Sequence, residues 1–118
     1  MDEEVWLELA LLYCERGNYI KSAFCFEELL VLNPTNDVFT IKLAEVYLTM
    51  GGKGNIEKAI KYLSYLVTKR PDNIRALWIL YRAICDSDEH AELKEVHNLI
   101  FRAVAMPFTK YTVRRTQR

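Results

Sequence analysis

Apolar residues recur along this chain at helical spacing. Trp6, Leu9, Ala10 and Tyr13 mark one stripe, and Ile20, Ala23, Phe24 and Leu30 mark a second. Intervals of three and four put such residues on one face of a helix, against a core. Gly17-Asn18 separates the two stripes, since glycine suits the backbone that ends a helix. Pro34 closes the second by disfavouring helix in the residue before it. The succession then returns. Thr40, Leu43, Ala44, Tyr47 and Gly51 stand 34 residues after Trp6, Leu9, Ala10, Tyr13 and Gly17. Ile56, Ala59, Leu63, Leu66, Pro71 and Asn73 stand 37 residues after Tyr19, Ser22, Phe26, Leu29, Pro34 and Asn36. The period therefore stretches at Gly52, Lys53 and Gly54, residues expected to loop out as surface between two helices.

Each unit reads as a pair of helices. Ala10 and Ala44 on the first helices, with Ser22 and Ala59 on the second, let the pair approach closely, and Trp6, Tyr13, Phe26 and Tyr47 fill the flanks. Asn36 or Asp37, and Asp72 or Asn73, offer N-caps to the following helices. A third unit keeps Leu77, Leu80 and Ile84 but has Tyr81 where a small residue stood. Its second helix is expected over 89–105, with Leu93, Val96, Ile100, Ala103 and Val104 on one face and Pro107 at its end. The pattern W-x2-L-[AG]-x2-Y with a closing proline resembles the tetratricopeptide repeat. The resemblance implies an all-α superhelix of about three helical hairpins, at 3–36, 37–73 and 74–106, followed by a basic tail over 107–118.

Composition agrees with a folded domain. Of 118 residues, 51% are apolar and 27% charged, with few glycines and prolines. Sixteen acids offset sixteen bases, so net charge points to no nucleic-acid partner. The tail, however, holds Lys110, Arg114, Arg115 and Arg118 and no acid; a frayed terminus is the plain reading, contact with anionic lipid or RNA the sharper one. Cys14, Cys25 and Cys85 form no CxxC pair and read as small core residues of a protein from a reducing compartment. No apolar run nears the ~20 residues of a membrane-spanning helix.

Three stretches hold residue types that could carry chemistry. Gly51-Gly52-Lys53-Gly54 suggests a phosphate loop, yet Lys53 is followed by glycine instead of Ser or Thr, position 47 is Tyr, and a helix precedes in place of a strand. His90 and His97 are seven apart, where a helical zinc pair would stand four apart. The acidic groups Asp2-Glu3-Glu4 and Asp86-Asp88-Glu89 fall at expected helix N-termini, where they complement the helix dipole. The reading is of a protein that is not an enzyme and uses no cofactor or metal.

The tetratricopeptide resemblance implies that the first helix of each pair lines a concave groove. Stepping along that face gives Glu4, Leu7, Leu11 and Cys14, then Val38, Ile41, Glu45 and Leu48, then Arg75, Trp78, Arg82 and Cys85. Leu7, Leu11, Ile41, Glu45, Leu48, Arg75, Trp78 and Arg82 are the expected partner-binding residues. Co-chaperones of this fold clamp a peptide carboxylate with lysine, asparagine and arginine. Of the matching positions Leu7, Leu11, Glu45, Arg75 and Ile79, only Arg75 suits that task, and Glu45 opposes it. The first helix, apolar nearly all round, implies cover by a further repeat or a partner.

Longer phrases carry a narrower resemblance. Trp6–Ala10 as W-L-E-L-A, Gly51-Gly52 with Asn55 and Glu57, Lys61-Tyr62, and Asn73–Tyr81 as N-x-R-A-L-x-x-L-Y resemble the subunit-two family of the endoplasmic-reticulum membrane protein complex. The resemblance spans residues 6–84 and is absent from the tail. It implies a non-catalytic scaffold, cytoplasmic and peripheral on the cytosolic face of that membrane. Its partners would be protein subunits, including cytosolic segments of membrane-embedded ones, in an assembly that inserts transmembrane segments. The competing reading is a free adaptor that binds peptide or chaperone tails.

Overall fold

A computed structural model describes residues 2–87 and residue 102. Five α-helices follow one another: α1 (Glu3–Glu15), α2 (Tyr19–Leu32), α3 (Asp37–Met50), α4 (Lys53–Lys69) and α5 (Ile74–Asp86). Each packs against the next in sequence, and α3 also touches α5. Helices α1 and α2 form one hairpin, α3 and α4 a second, and α5 opens a third, as the repeat predicts. The second helix expected over 89–105 and the basic tail lie outside the described residues.

The first helices start alike. Asp2, Asn36 and Asn73 are their N-caps, and each side chain accepts a hydrogen bond from a backbone N–H three residues on: Val5 at 3.0 Å, Phe39 at 3.1 Å and Ala76 at 3.1 Å. One otherwise orphaned donor per helix is thereby satisfied. Asn36 and Asn73 take this role, and Asp37 sits instead in the first turn of α3. There its carboxylate meets Arg70, the C-cap of α4, at 3.2 Å, joining the open end of the second hairpin. At the N-terminus Asp2, Glu3 and Glu4 do fall at a helix start, but Asp86 is the last residue of α5.

The core lies between paired helices. Ala10, Ser22, Ala44 and Ala59 are fully buried, together with Phe26, Leu29, Leu43 and Leu63. The Ser22 hydroxyl donates to the Ala10 carbonyl at 2.8 Å across α1 and α2, so the one polar group at this contact is paired. Trp6 and Tyr13 are half-buried flanks, Tyr47 is buried, and Pro34 and Pro71 lie exposed at the inter-repeat turns. The expected stripe on α2 is corrected. Ala23 is buried and Leu30 half-buried, but Ile20 and Phe24 face solvent at 74% and 54% exposure, and Cys25, Phe26 and Leu29 form the core side. Leu and Phe occur on both sides of α2, so spacing by itself selects two faces, and the packing of α1 and α3 decides between them.

The stretched repeat is also corrected. Helix α4 is three residues longer than α2, 17 against 14. The extra residues add most of a helical turn instead of a surface loop. Gly51 and Gly52 adopt φ of 74° and 86°, so the chain reverses within two residues and α4 begins at Lys53. Such angles are open to glycine and costly for other residues. Asn55, the counterpart of the cap Asn18, is swallowed by the helix and its side-chain amide donates to the Gly51 carbonyl at 2.8 Å. Among the cysteines Cys25 alone is buried, and burial followed by the charge of Glu28 raises its pKa; Cys14 is half-buried and Cys85 exposed, contrary to the core role expected of all three.

Two stability outcomes follow. Leu43→Ala, which empties a fully buried site, lowers the unfolding free energy by about 2–5 kcal/mol in urea denaturation. Asn36→Ala, which orphans a capping donor, lowers it by about 1 kcal/mol in the same assay.

Candidate partner-binding groove

Between α3 and α5 the first helices leave an open groove of about 840 Å³. Glu45 and Leu48 of α3 form one wall; Arg75, Trp78 and Arg82, one turn apart on α5, form the other. The Asn73 cap sets the start of α5, and burial of Ala76, Leu77, Leu80 and Ala83 fixes its rotation. Trp78 is thereby left 44% exposed, with its ring edge-on to Tyr81 at 5.7 Å and 81°. Arg75 donates from Nη2 to Glu45 Oε1 at 2.8 Å across the groove. Both side chains are partly solvated, so the pair contributes at most about 1 kcal/mol. Its larger effect is to occupy Arg75. Arg82 has no carboxylate partner among the described residues.

Five of the eight expected binding residues therefore meet in one place: Glu45, Leu48, Arg75, Trp78 and Arg82. Leu7 is half-buried and Leu11 exposed on α1, outside this groove. Ile41 is corrected: it is 6% exposed and belongs to the core. Helix α3 is flanked by α2, α4 and α5, and that leaves less of its inner face open than an isolated hairpin would have. Thr49, Ile74, Ile79 and Tyr81 also line the groove and were not expected. Tyr81 had a visible signal. It stands at the position of Ala10 and Ala44, where its ring is too large for a close helix contact, and it turns to the groove beside Trp78.

Among the described residues no three His, Cys, Asp or Glu gather around a point where a metal would sit. Gly51–Gly54 is a helix-to-helix turn: α3 precedes it and α4 follows. No described helix is long and apolar enough to cross a membrane. His90 and His97 lie outside the described residues.

Comparison with known proteins adds two findings. The tetratricopeptide repeat family model matches residues 3–36, which is the first hairpin. The ER membrane protein complex subunit 2 of Xenopus tropicalis is 45% identical over 80 residues, covering 68% of this chain and 27% of that protein. Its counterpart in Dictyostelium discoideum is 38% identical over 64 residues, 54% of this chain and 20% of the relative. Human tetratricopeptide repeat protein 7A is 32% identical over 78 residues, 64% of this chain and 8% of the relative. The chain thus spans about a quarter of the length of the subunit 2 relatives. Helical hairpins at the repeat's own spacing and this identity make the chain a tetratricopeptide-repeat protein homologous to ER membrane protein complex subunit 2.

Proposed function

We propose that this chain is a non-catalytic scaffold in an endoplasmic-reticulum membrane protein complex, holding a segment of a sister subunit in the α3–α5 groove. It acts on the cytosolic side, peripheral to the membrane, and steadies membrane-embedded subunits of an assembly that inserts transmembrane segments. The observation that carries the reading is Trp78 in an open groove. A large aromatic surface set beside Leu48 and Arg82, which meets no carboxylate among the described residues, is the composition of a protein-binding hot spot. Homology to a complex subunit supports a partner of that kind. The free adaptor that grips peptide tails is less well supported, because Glu45 already holds the single guanidinium suited to a terminal carboxylate.

Detergent-solubilised affinity purification followed by identification of co-purifying proteins tests the scaffold. Wild type brings down membrane-embedded subunits, and Trp78→Glu, at an exposed site, lowers their recovery about tenfold or more without shifting the melting temperature. Full recovery with Trp78→Glu removes the groove as the contact, and a chain that elutes free of any membrane complex removes the scaffold. Ile41→Glu behaves differently: a carboxylate in the core lowers stability by about 3 kcal/mol or more in thermal melts, so any loss of partner follows unfolding.

A further inference from the structure

The second helices carry a surface of their own, whose pocket shares no lining residue with the α3–α5 groove. On α4, Lys58, Lys61, Tyr62 and Tyr65 stand at i, i+3, i+4 and i+7, and with Tyr47 and Glu27 they enclose a pocket of about 430 Å³. The Tyr47 ring stacks on Tyr62 at 6.3 Å and 14°. The Tyr47 hydroxyl donates to the Glu27 carboxylate, and burial, reinforced by that bond, raises the Tyr47 pKa and keeps the phenol neutral. One polar end of the wall, the Tyr47 hydroxyl, is thus satisfied by Glu27, and tyrosine rings make up most of the remaining lining. At the rim the Lys58 ammonium lies 5.4 Å from the centre of the Tyr47 ring. Neither Lys58 nor Lys61 meets a carboxylate among the described residues.

Glu27 connects this pocket to an apolar stripe. One turn to either side of it on α2, Phe24 and Val31 are exposed, and Ile20 continues the line; exposures are 54%, 73% and 74%. Helix α4 answers whether the fold requires this. At the same repeat positions it carries Lys61, Thr68 and Glu57, also exposed. The backbone geometry therefore accepts polar residues at all three places, and α2 presents apolar ones to solvent where its twin does not. Such a patch on a folded chain marks a contact surface.

We propose that the outer face of α2 and α4 is a second docking surface, which takes an acidic amphipathic segment of a partner protein. An aromatic or aliphatic anchor of that segment enters the tyrosine pocket. Its remaining apolar side chains lie along Ile20, Phe24 and Val31, and its carboxylates meet Lys58 and Lys61. Charge selects this occupant, since two lysines that meet no carboxylate among the described residues flank a pocket lined mainly by tyrosine rings. A lipid surface fits less well. A flat bilayer leaves a recessed pocket unfilled and presses anionic headgroups against Glu27 and Glu28 beside the stripe. The surface is independent of the α3–α5 groove and stands whether or not that groove binds.

Fluorescence anisotropy with a short labelled peptide decides the matter: tryptophan and leucine at helical spacing, glutamate elsewhere. The wild-type chain binds it saturably. Lys58→Glu with Lys61→Glu weakens binding about tenfold or more, and so does Phe24→Lys, which installs the residue of α4 at the matching site. Lys58 and Lys61 are solvent-facing, so the double variant melts near wild type; Phe24→Lys gives up only an edge contact with Trp6 and stays folded, and Trp78→Glu leaves this affinity unchanged. Equal binding of a twin peptide with lysine for glutamate, full affinity in the double variant, or no binding at all overturns the proposal. Tighter capture of phosphatidylserine vesicles through the same lysines replaces the protein partner with a membrane and also overturns it.

Discussion

The Ala10 carbonyl accepts the Ser22 hydroxyl at 2.8 Å because nothing larger than a methyl group stands between α1 and α2. Ala44 and Ala59 repeat the arrangement in the second hairpin, both without solvent exposure. Helices held this close expose their next ring of side chains to packing from above and below. Phe26, Leu29, Leu43 and Leu63 fill that ring, each shut off from solvent. Larger groups are then pushed outward, and the position of each aromatic residue follows from the space the small ones leave. Tyr81 shows the converse. It stands where the other units have a small residue, and its ring becomes part of a groove.

A repeat shares its buried positions and varies its exposed ones, and both surfaces of interest arise from that freedom. Leu11, Glu45 and Arg82 are equivalent positions on the three first helices. Their different chemistries give each stretch of the concave side its own character. On the outer side, α2 is apolar where α4 is charged. Ion pairs play a lesser part in this plan. Arg70–Asp37 and Arg75–Glu45 are solvated and weak in energy, yet each joins two helices and sets which charges remain for a partner.

The added residues after Gly51 show how a solenoid absorbs length. A loop of three residues would leave its backbone groups to solvent, whereas a longer helix pairs them internally. Two glycines at positive φ make the tight reversal possible, so the extra turn is added at the start of α4. That turn carries Asn55 inward, where its amide caps the carbonyl of Gly51.

Much of this architecture was legible in the chain. Helical period, small residues at fixed intervals and Asn, Gly or Pro at the boundaries determine five helices and their pairing, because each signal acts within a few residues of backbone. Trp78, Arg75, Arg82, Glu45 and Leu48 could be placed on one face for the same reason: they are one or two turns apart on helices whose register the repeat sets. Ile41, Ile20 and Phe24 were misplaced, since burial depends on which neighbours cover a helix, and α3 is covered on three sides while α2 is open at the back. The Arg75–Glu45 pair and the tyrosine pocket join residues from different repeats. Sequence by itself determined the helices and their order; only the tertiary structure decided which apolar residues stay in water, because exposure is a property of neighbours brought together by the fold.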